Sequence, residues 1–488
     1  MARKQTLQGP GTVEKLADWS LAVRADDIPD AILHQAKLLL LDTIGCGYAA
    51  LDEQASRAVI ATVAETGGAP QCTVIGSTDK TSAPGAVLLN CALVRILDLN
   101  DYVNTKAGQI GGHPSDNIPV ALAAAELSGA SGREVLAAVV VGYEVYGRLK
   151  EAMRGAADWD GIMVSGFAAP AMAARLMGLD RATLANAMAL SGARSPTPLV
   201  VRHGAISAAK SVANALIAQN AMQATILAKH GMTGPLDLFE NPHGLGALFP
   251  GLDESLTAPL ASDCHLMGCH IKAYPCLATG QSIVHAGLDI HRQVGGDVGR
   301  LHHITVAIAD TPSLRRQTDD PGRIGPTSRE AADHSFNFLA AAAMVDGAFG
   351  LAQFDNERWN DTTVRGVMGR LEIVCDPALN ARSPGSFPCA IRAKTTDGTD
   401  YVAEVLDPPG FSRRGLDAAA VTGKFHAITS SRLPPAERER IVASVMALDR
   451  AVSVADVTAT LAAANTALRK LRPELNPALK CQYHEGTP

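Results

Sequence analysis

The stretch Leu97–Pro119, LDLNDYVNTKAGQIGGHPSDNIP, concentrates side chains able to move protons. Two carboxylates, Asp98 and Asp101, close a long run of small and apolar residues. A glycine-punctuated loop follows, then His113-Pro114-Ser115-Asp116-Asn117, Pro119 and the Ala-rich run VALAAAELSG. Pro119 suits the first turn of a helix, and Ser115, Asp116 and Asn117 are candidate caps just upstream. His113 then lies beside a helix N-terminus, where free N–H groups and the macrodipole attract anions. Two acids and a histidine at such a place suggest proton chemistry on a carboxylate-bearing small molecule. The i,i+3 spacing of Asp98 and Asp101 also fits solvated helix-end residues, and HPSDN also fits a capping loop without chemistry.

Lys210 is a second candidate. It is the only charged residue between Arg202 and Lys229, counting histidine as neutral. A helix that apolar is mostly buried, and a lysine rarely goes inside without a partner. Small neighbours, Ala208, Ala209, Ser211 and Ala213, leave room beside the ammonium; a lysine snorkelling from one wet edge fits the composition equally. Lys272, in IKAYPC, sits where the sequence pattern changes, and a cation at a domain junction is placed to touch a ligand in the cleft. Arg202-His203, ahead of the Lys210 helix, add positive charge for a further carboxylate. Arg315-Arg316 and PGRIGP read as a mobile loop, where lid residues are one reading and a solvated loop the favoured one. CHLMGCH places Cys264, His265, Cys269 and His270 within seven residues. Its spacing fits no standard zinc pairing, so it reads as a hydrophobic connection with inert thiols.

The elements that must position these residues fall into three blocks. Helical patterns cover Ala31–Leu51, Pro84–Asp98, Glu134–Leu149, Ser165–Met177, Arg181–Ser191 and Ala205–His230, with a short extended connection at Gly67–Gly76. Near residue 270 the period changes. His303–Ile308 alternates, Arg370–Cys375 does so less cleanly, and Ala390–Ala393 and Tyr401–Val405 flank the hairpin signal Thr395-Thr396-Asp397-Gly398. Helices at Pro275–Ile290 and Arg329–Ala348 interleave with these strands. Beyond about 415 the pattern is helical again, with starts at Pro435 and Val452–Leu468 and a tail of a dozen residues. The expectation is a mainly α protein with an α+β part: a large all-α helical domain (1–268), a smaller α+β lid domain (269–412), and C-terminal helices (413–488) packing back on the first.

Composition narrows the class. The chain has 488 residues, 47% hydrophobic but only 4% aromatic, so its core is built from Ala, Leu, Val and Ile. A net charge of −6 and the lack of a basic stripe argue against nucleic acid. Nine scattered cysteines suggest free thiols in a reducing compartment. MARKQTLQGPG lacks the apolar core of a secretory signal, and VLAAVVVGY is too short to span a bilayer. A soluble cytoplasmic protein that binds no membrane is expected. Nucleotide-binding glycine loops and nucleophile elbows are missing, which argues against nicotinamide, flavin and ATP.

LDLND followed by HPSDN ahead of an apolar helix resembles the signature region of the MmgE/PrpD family, which includes 2-methylcitrate dehydratases, cis-aconitate decarboxylases and iminodisuccinate epimerases. The similarity continues through LLLDTIGCGYAALD, GYEVYGRL, ARLMGLD, Lys210-Ser211, IKAYPC, His334-Ser335 in EAADHSFNF, SFPCAIRAKTTDGTDYVAEV and GKFHAI. It implies an all-α domain with an α+β lid, a homodimer, no cofactor and no metal, with Lys210, Ser211, Lys272, His334 and Ser335 near the substrate. HPSDN leans toward the methylcitrate dehydratase branch, as does the RH pair before the Lys-Ser helix. Two departures stand out: DWDGIMVSGFAAP lacks the histidine that many decarboxylase-like members carry there, and Phe338 stands where tyrosine is frequent. Each loss removes a proton donor, a role Tyr102 could fill.

The expected activity is therefore a lyase on a di- or tricarboxylate, dehydrating a 2-methylcitrate-like hydroxy acid. Lys210, Lys272 and Arg202 would bind carboxylates and stabilise an enolate-like carbanion. His113 would transfer the proton, its ordinary pKa lying near neutrality. Asp98 would be the other acid/base group or would orient His113, with Asp101 a weaker orienting candidate. Decarboxylation or epimerisation through the same carbanion, a metal-dependent hydratase, and a non-catalytic carboxylate binder are the alternatives.

Overall fold

Small side chains let helix axes approach closely, and the helical part of this chain is built on that. The structure is a computed structural model describing residues 9–105, 110–153, 158–204, 206–382, 386–411 and 415–462. It is mainly helical with small sheets, as the patterning predicts. Helix Ala83–Ile96, APGAVLLNCALVRI, is buried along nearly its whole length. It packs against Asp30–Ala49, Ile118–Ser128 and the Ala-rich Ala209–Lys229. Arg181–Gly192 and Ser165–Leu176 cover the other side of Ala209–Lys229. The apolar run at 135–143 lies within the buried helix Gly132–Ala152, and no single described helix is long and apolar enough to cross a membrane.

The C-terminal helices Ala418–Thr429 and Pro435–Met446 return to Asp30–Ala49, and Val421, Phe425, Ile441 and Val445 join the same core as Leu38–Leu41. A separate core is formed within residues 276–405. There the sheet order is Leu371–Asp376, Leu301–Ala309, Cys389–Thr395, Asp400–Val405, the first pair parallel and the others antiparallel. Ile304, Val306 and Ile308 alternate inward in register with Ala393, Ile391 and Cys389. Gln281–Gln293 and Phe336–Asp346 pack with this sheet.

Several boundaries differ from the sequence pattern. The helix expected at 275–290 starts at Gln281, after a 3₁₀ turn at Ala278–Gly280. The one expected from 205 starts at Ala209. The single helix expected over 329–348 is two, Arg329–Ala332 and Phe336–Asp346, because Ser335 leaves helical geometry and its hydroxyl accepts the Phe338 N–H at 3.1 Å. Arg315-Arg316 and PGRIGP, expected in a solvated loop, lie on the short helices Pro312–Thr318 and Pro321–Ile324, and Arg323 is buried. The helix expected over 452–468 is seen as Ala455–Leu461; its end and the C-terminal tail fall outside the described residues.

Candidate active site

Helix Ala83–Ile96 ends in a tight reversal. Asp98 adopts φ +50°, a left-handed conformation that Asp tolerates better than most residues. The reversal turns its carboxylate back to Arg95, at 2.6 Å. The chain then runs as Tyr102–Asn104, pairs with Ile110–Gly112 on one side and Cys269–His270 on the other, and so brings Lys272 to the same place. Lys272 is in contact with the Asp98 carboxylate and donates to the Asp98 carbonyl at 3.0 Å. Lys210, in the first turn of Ala209–Lys229, lies 3.2 Å from Asp98 and 2.9 Å from Asp333. Asp98 and Asp101 are thus interior groups, which removes the reading of solvated helix-end residues.

His334 completes this buried cluster. Its Nδ1 is in contact with Asp333 and lies 3.2 Å from the Lys210 ammonium, and its Nε2 is 3.7 Å from Asp98. Asp98, Asp333 and His334 have the mutual spacing of a metal site. The Lys210 ammonium lies within 3.2 Å of all three, so a cation is already supplied by the chain. Burial opposes charge on Asp98, but Arg95, Lys272 and Lys210 outweigh it and hold the carboxyl well below its usual range. Burial likewise opposes charge on Asp333, and Lys210 and His334 reverse it. Burial, with Lys210 beside it, lowers His334 to about 3.

His113 lies near the same cluster. Its Nδ1 is 2.6 Å from the Asp101 carbonyl, which makes Nδ1 the protonated nitrogen and leaves Nε2 as the acceptor. Burial, then Arg95 and Lys272, hold its pKa well below the ordinary histidine value, so the ring is neutral. The Asp101 carboxylate accepts from the Ser115 hydroxyl at 2.6 Å and from Tyr143 at 2.9 Å, and burial pushes its pKa up to about 7. Ser115, Asp116 and Asn117 form a 3₁₀ turn; Asn117 stands at the N-cap position of helix Ile118–Ser128, but no side chain of the three caps that helix. Instead Asn100 donates to both Ser115 and Asp116, each at 2.8 Å. Gly112 has φ +124°, and a Cβ there would lie 2.2 Å from the Tyr146 hydroxyl. The residue before His113 is therefore restricted to glycine.

Beside these groups lies a cavity of about 260 Å³. Of the residues singled out in the sequence, Asp98, His113, Arg202, His203 and His334 line it. Lys210 and Lys272 do not reach its wall; they lie behind Asp98. Asp101 contributes its carbonyl to His113 rather than its carboxylate to the cavity. Ser335 is occupied as a helix cap, and Ser211 is buried with no hydrogen bond to its hydroxyl among the described residues. Tyr102 packs on His270 and Phe387, its hydroxyl buried away from the cavity, and burial raises its pKa. Phe338 packs on Phe349 and Phe354, outside the lining. In CHLMGCH, His265 turns to Glu144 at 3.3 Å, while Cys269-His270 form the strand beside Tyr102.

Family models match both halves: the MmgE/PrpD N-terminal domain over residues 14–254 and the C-terminal domain over 274–450. The chain belongs to the MmgE/PrpD family. A cis-aconitate decarboxylase-like protein of Aspergillus oryzae is 25% identical, the match covering 93% of this chain and 98% of that protein. A 2-methylcitrate dehydratase of Cupriavidus necator is 27% identical over 85% of this chain and 89% of its own length. A cis-aconitate decarboxylase of Mus musculus is 23% identical over 86% and 87%. Against this MmgE/PrpD background, Arg95, Lys150 and Asp160 are lining residues not proposed for the site from the sequence, and Arg316 and Arg323 line it although their segments read as solvated. Arg95 carried the same signal as Lys210, a lone charge in an apolar helix. Lys150 carried none, being one of several charges near a helix end.

Proposed function

We propose that this protein is a lyase for a di- or tricarboxylic acid, removing water from a 2-methylcitrate-like hydroxy acid through a carbanion next to a carboxylate. The observation that carries this is the lining of the cavity. Among the described residues, five cations, Arg95, Lys150, Arg202, Arg316 and Arg323, face two carboxylates, Asp98 and Asp160, and a neutral His113 with one nitrogen free for proton transfer. An excess of positive charge in a low-dielectric wall attracts polyanions and stabilises negative charge developing on them.

His113 Nε2 takes the proton from the carbon next to a substrate carboxylate. The electron pair left on that carbon spreads into the carboxylate, against the lining arginines. Loss of the neighbouring hydroxyl then forms the double bond, and the proton from His113 leaves with it as water. Asp98 is too firmly ionised to donate a proton. Its part is to hold Arg95 at the cavity floor, and Lys210 and Lys272 set its charge from behind. The relatives named as decarboxylases support a second outcome of the same carbanion chemistry, in which CO₂ leaves instead.

The test is to incubate the protein with citrate, 2-methylcitrate and cis-aconitate, with and without a chelator, and follow products by NMR in D₂O. Alkene signals from a hydroxy acid that persist under chelation support dehydration. Loss of CO₂ from cis-aconitate moves the protein to decarboxylation. No turnover of any of them refutes the proposal and favours a carboxylate-binding role. The homodimer expected from the resemblance belongs to the same proposal and is checked by light scattering.

A further inference from the structure

Three of the five cations that the described residues bring to the cavity wall are already neutralised by the protein. Arg95 is paired with Asp98, Arg202 with Asp160, and Arg323 with Asp320 at 3.5 Å. Arg316 is exposed at the rim. Lys150 differs from all of these. It sits at the end of helix Gly132–Ala152, half-buried, and its ammonium meets no carboxylate within ion-pair distance and no hydrogen-bond acceptor among the described residues. Asp160, the nearest acidic group in the wall, is committed elsewhere: one carboxylate oxygen holds Arg202 and the other accepts the Ile162 N–H at 3.1 Å. Burial lowers the Lys150 pKa, against the pull of Asp160.

The main chain is shaped to admit this ammonium. A Cβ at Gly161 would stand 1.8 Å from Lys150 Nζ, so only glycine leaves the space that the ammonium fills. Gly161 opens the segment Gly161–Val164 that follows Trp159-Asp160, and all three residues line the cavity. An unpaired cation in a partly desolvated wall is costly unless something negative completes it.

We propose that Lys150, seated over Gly161, is the anchor for a substrate carboxylate remote from the reacting carbon, and so selects polycarboxylates over monocarboxylates. The proposal rests on the reading of the cavity as a polycarboxylate site. It assigns to Lys150 a binding contact, with no proton transfer.

The test uses citrate as the probe in calorimetric titrations of the full chain, with acetate as the monocarboxylate control, so that it does not depend on turnover. Lys150→Met is expected to weaken citrate binding roughly 10- to 100-fold, the cost of losing one charge-assisted contact. Lys150→Arg is expected to keep most of the affinity. Gly161→Ala, which displaces the ammonium without removing it, is expected to weaken binding in the same direction. The free Lys150→Met protein is expected to melt no lower than wild type, because it loses an unpaired charge; a merely structural lysine would lower the melting temperature. With a substrate that the enzyme turns over, the loss falls on KM and leaves kcat within a few-fold.

A folded Lys150→Met protein that binds citrate like wild type overturns the proposal, as does wild type that prefers acetate or binds no citrate. A loss confined to kcat also overturns it, by making Lys150 a proton-transfer group. If Lys150→Met does not fold, the contrast between Lys150→Arg and Gly161→Ala decides the matter. Citrate binding that depends on Lys150, together with no turnover of any acid, would refute the lyase reading while leaving this assignment standing.

Discussion

Removing the Asp98 charge should destabilise the protein through one specific lysine. Three buried cations share this carboxylate: Arg95 at 2.6 Å, Lys210 at 3.2 Å, and Lys272 in direct contact. In Asp98→Asn, Arg95 keeps Asp116 at 3.7 Å and Lys210 keeps Asp333 at 2.9 Å. Lys272 retains only the carbonyl of residue 98, at 3.0 Å. An orphaned buried charge of this kind costs about 3–5 kcal/mol. Lys272→Met is milder, because Asp98 still has two cations; a loss of about 1–2 kcal/mol follows from the usual range of single substitutions. With both changes no charge is left uncompensated, and the double variant should recover roughly 2 kcal/mol or more of the Asp98→Asn loss. Urea denaturation followed by far-UV circular dichroism at pH 7 measures all three. If the double variant is as unstable as the sum of the singles, Lys272 is not the group that Asp98 neutralises and the account of the cluster fails.

Three further outcomes follow. His113→Ala should lower kcat about 10²- to 10⁴-fold, the usual worth of a general base, with little change in KM; NMR product assays would show it, and unaltered turnover would remove His113 from the mechanism. Asp101 titrates at about 7 in the folded protein, above its ordinary value near 3.8. The folded state therefore holds a proton that the unfolded chain has lost between about pH 4 and 7, and Asp101 costs the folded state stability as pH rises through that window. Relative to Asp101→Asn, wild type should lose roughly 4 kcal/mol at most across it, read from denaturation midpoints; a flat difference would contradict the assignment. Ser335→Ala should cost about 1 kcal/mol of stability as a lost helix cap and leave KM unchanged, whereas a raised KM would return Ser335 to the substrate.

Much of the site was legible where a charge interrupts an apolar run. Lys210 is found that way and Lys272 by its place where the sequence pattern changes, and both are fully buried against Asp98. Their direction was not legible. Composition says that a lysine goes inward with a partner, but only packing decides whether ligand or carboxylate is that partner. Asp333 was hidden because EAADHSFNF carries helical residues on both sides of it, and the break depends on the Ser335 cap winning over helix continuation. Arg316 and Arg323 read as solvated because their segments are polar and rich in proline and glycine. They face the cavity because two short helices pack there, a tertiary effect with no local period. The helical and sheet patterns were clearer, since Ala-rich helices and the alternating strand Leu301–Ala309 each bury one consistent set of positions.

The same geometry favours His113 over His334 as the proposed proton acceptor. His334 has both nitrogens engaged by the buried cluster: Nδ1 faces Asp333 and Lys210, and Nε2 faces Asp98. A proton arriving on it would enter a cluster already balanced between cations and carboxylates; burial, then Lys210, lowers its pKa to about 3, and since burial, then Arg95 and Lys272, also hold His113 well below the ordinary value, it is the hydrogen-bond geometry that separates the two rings. His113 has one nitrogen fixed by a main-chain carbonyl and the other without a partner among the described residues. A carbonyl holds the tautomer without supplying a full negative charge, so His113 stays neutral yet can accept a proton when a carbanion forms beside it. The negative charge that then appears on the substrate is the counterion that makes the protonated ring tolerable, which ties proton uptake by His113 to the step it is proposed to serve.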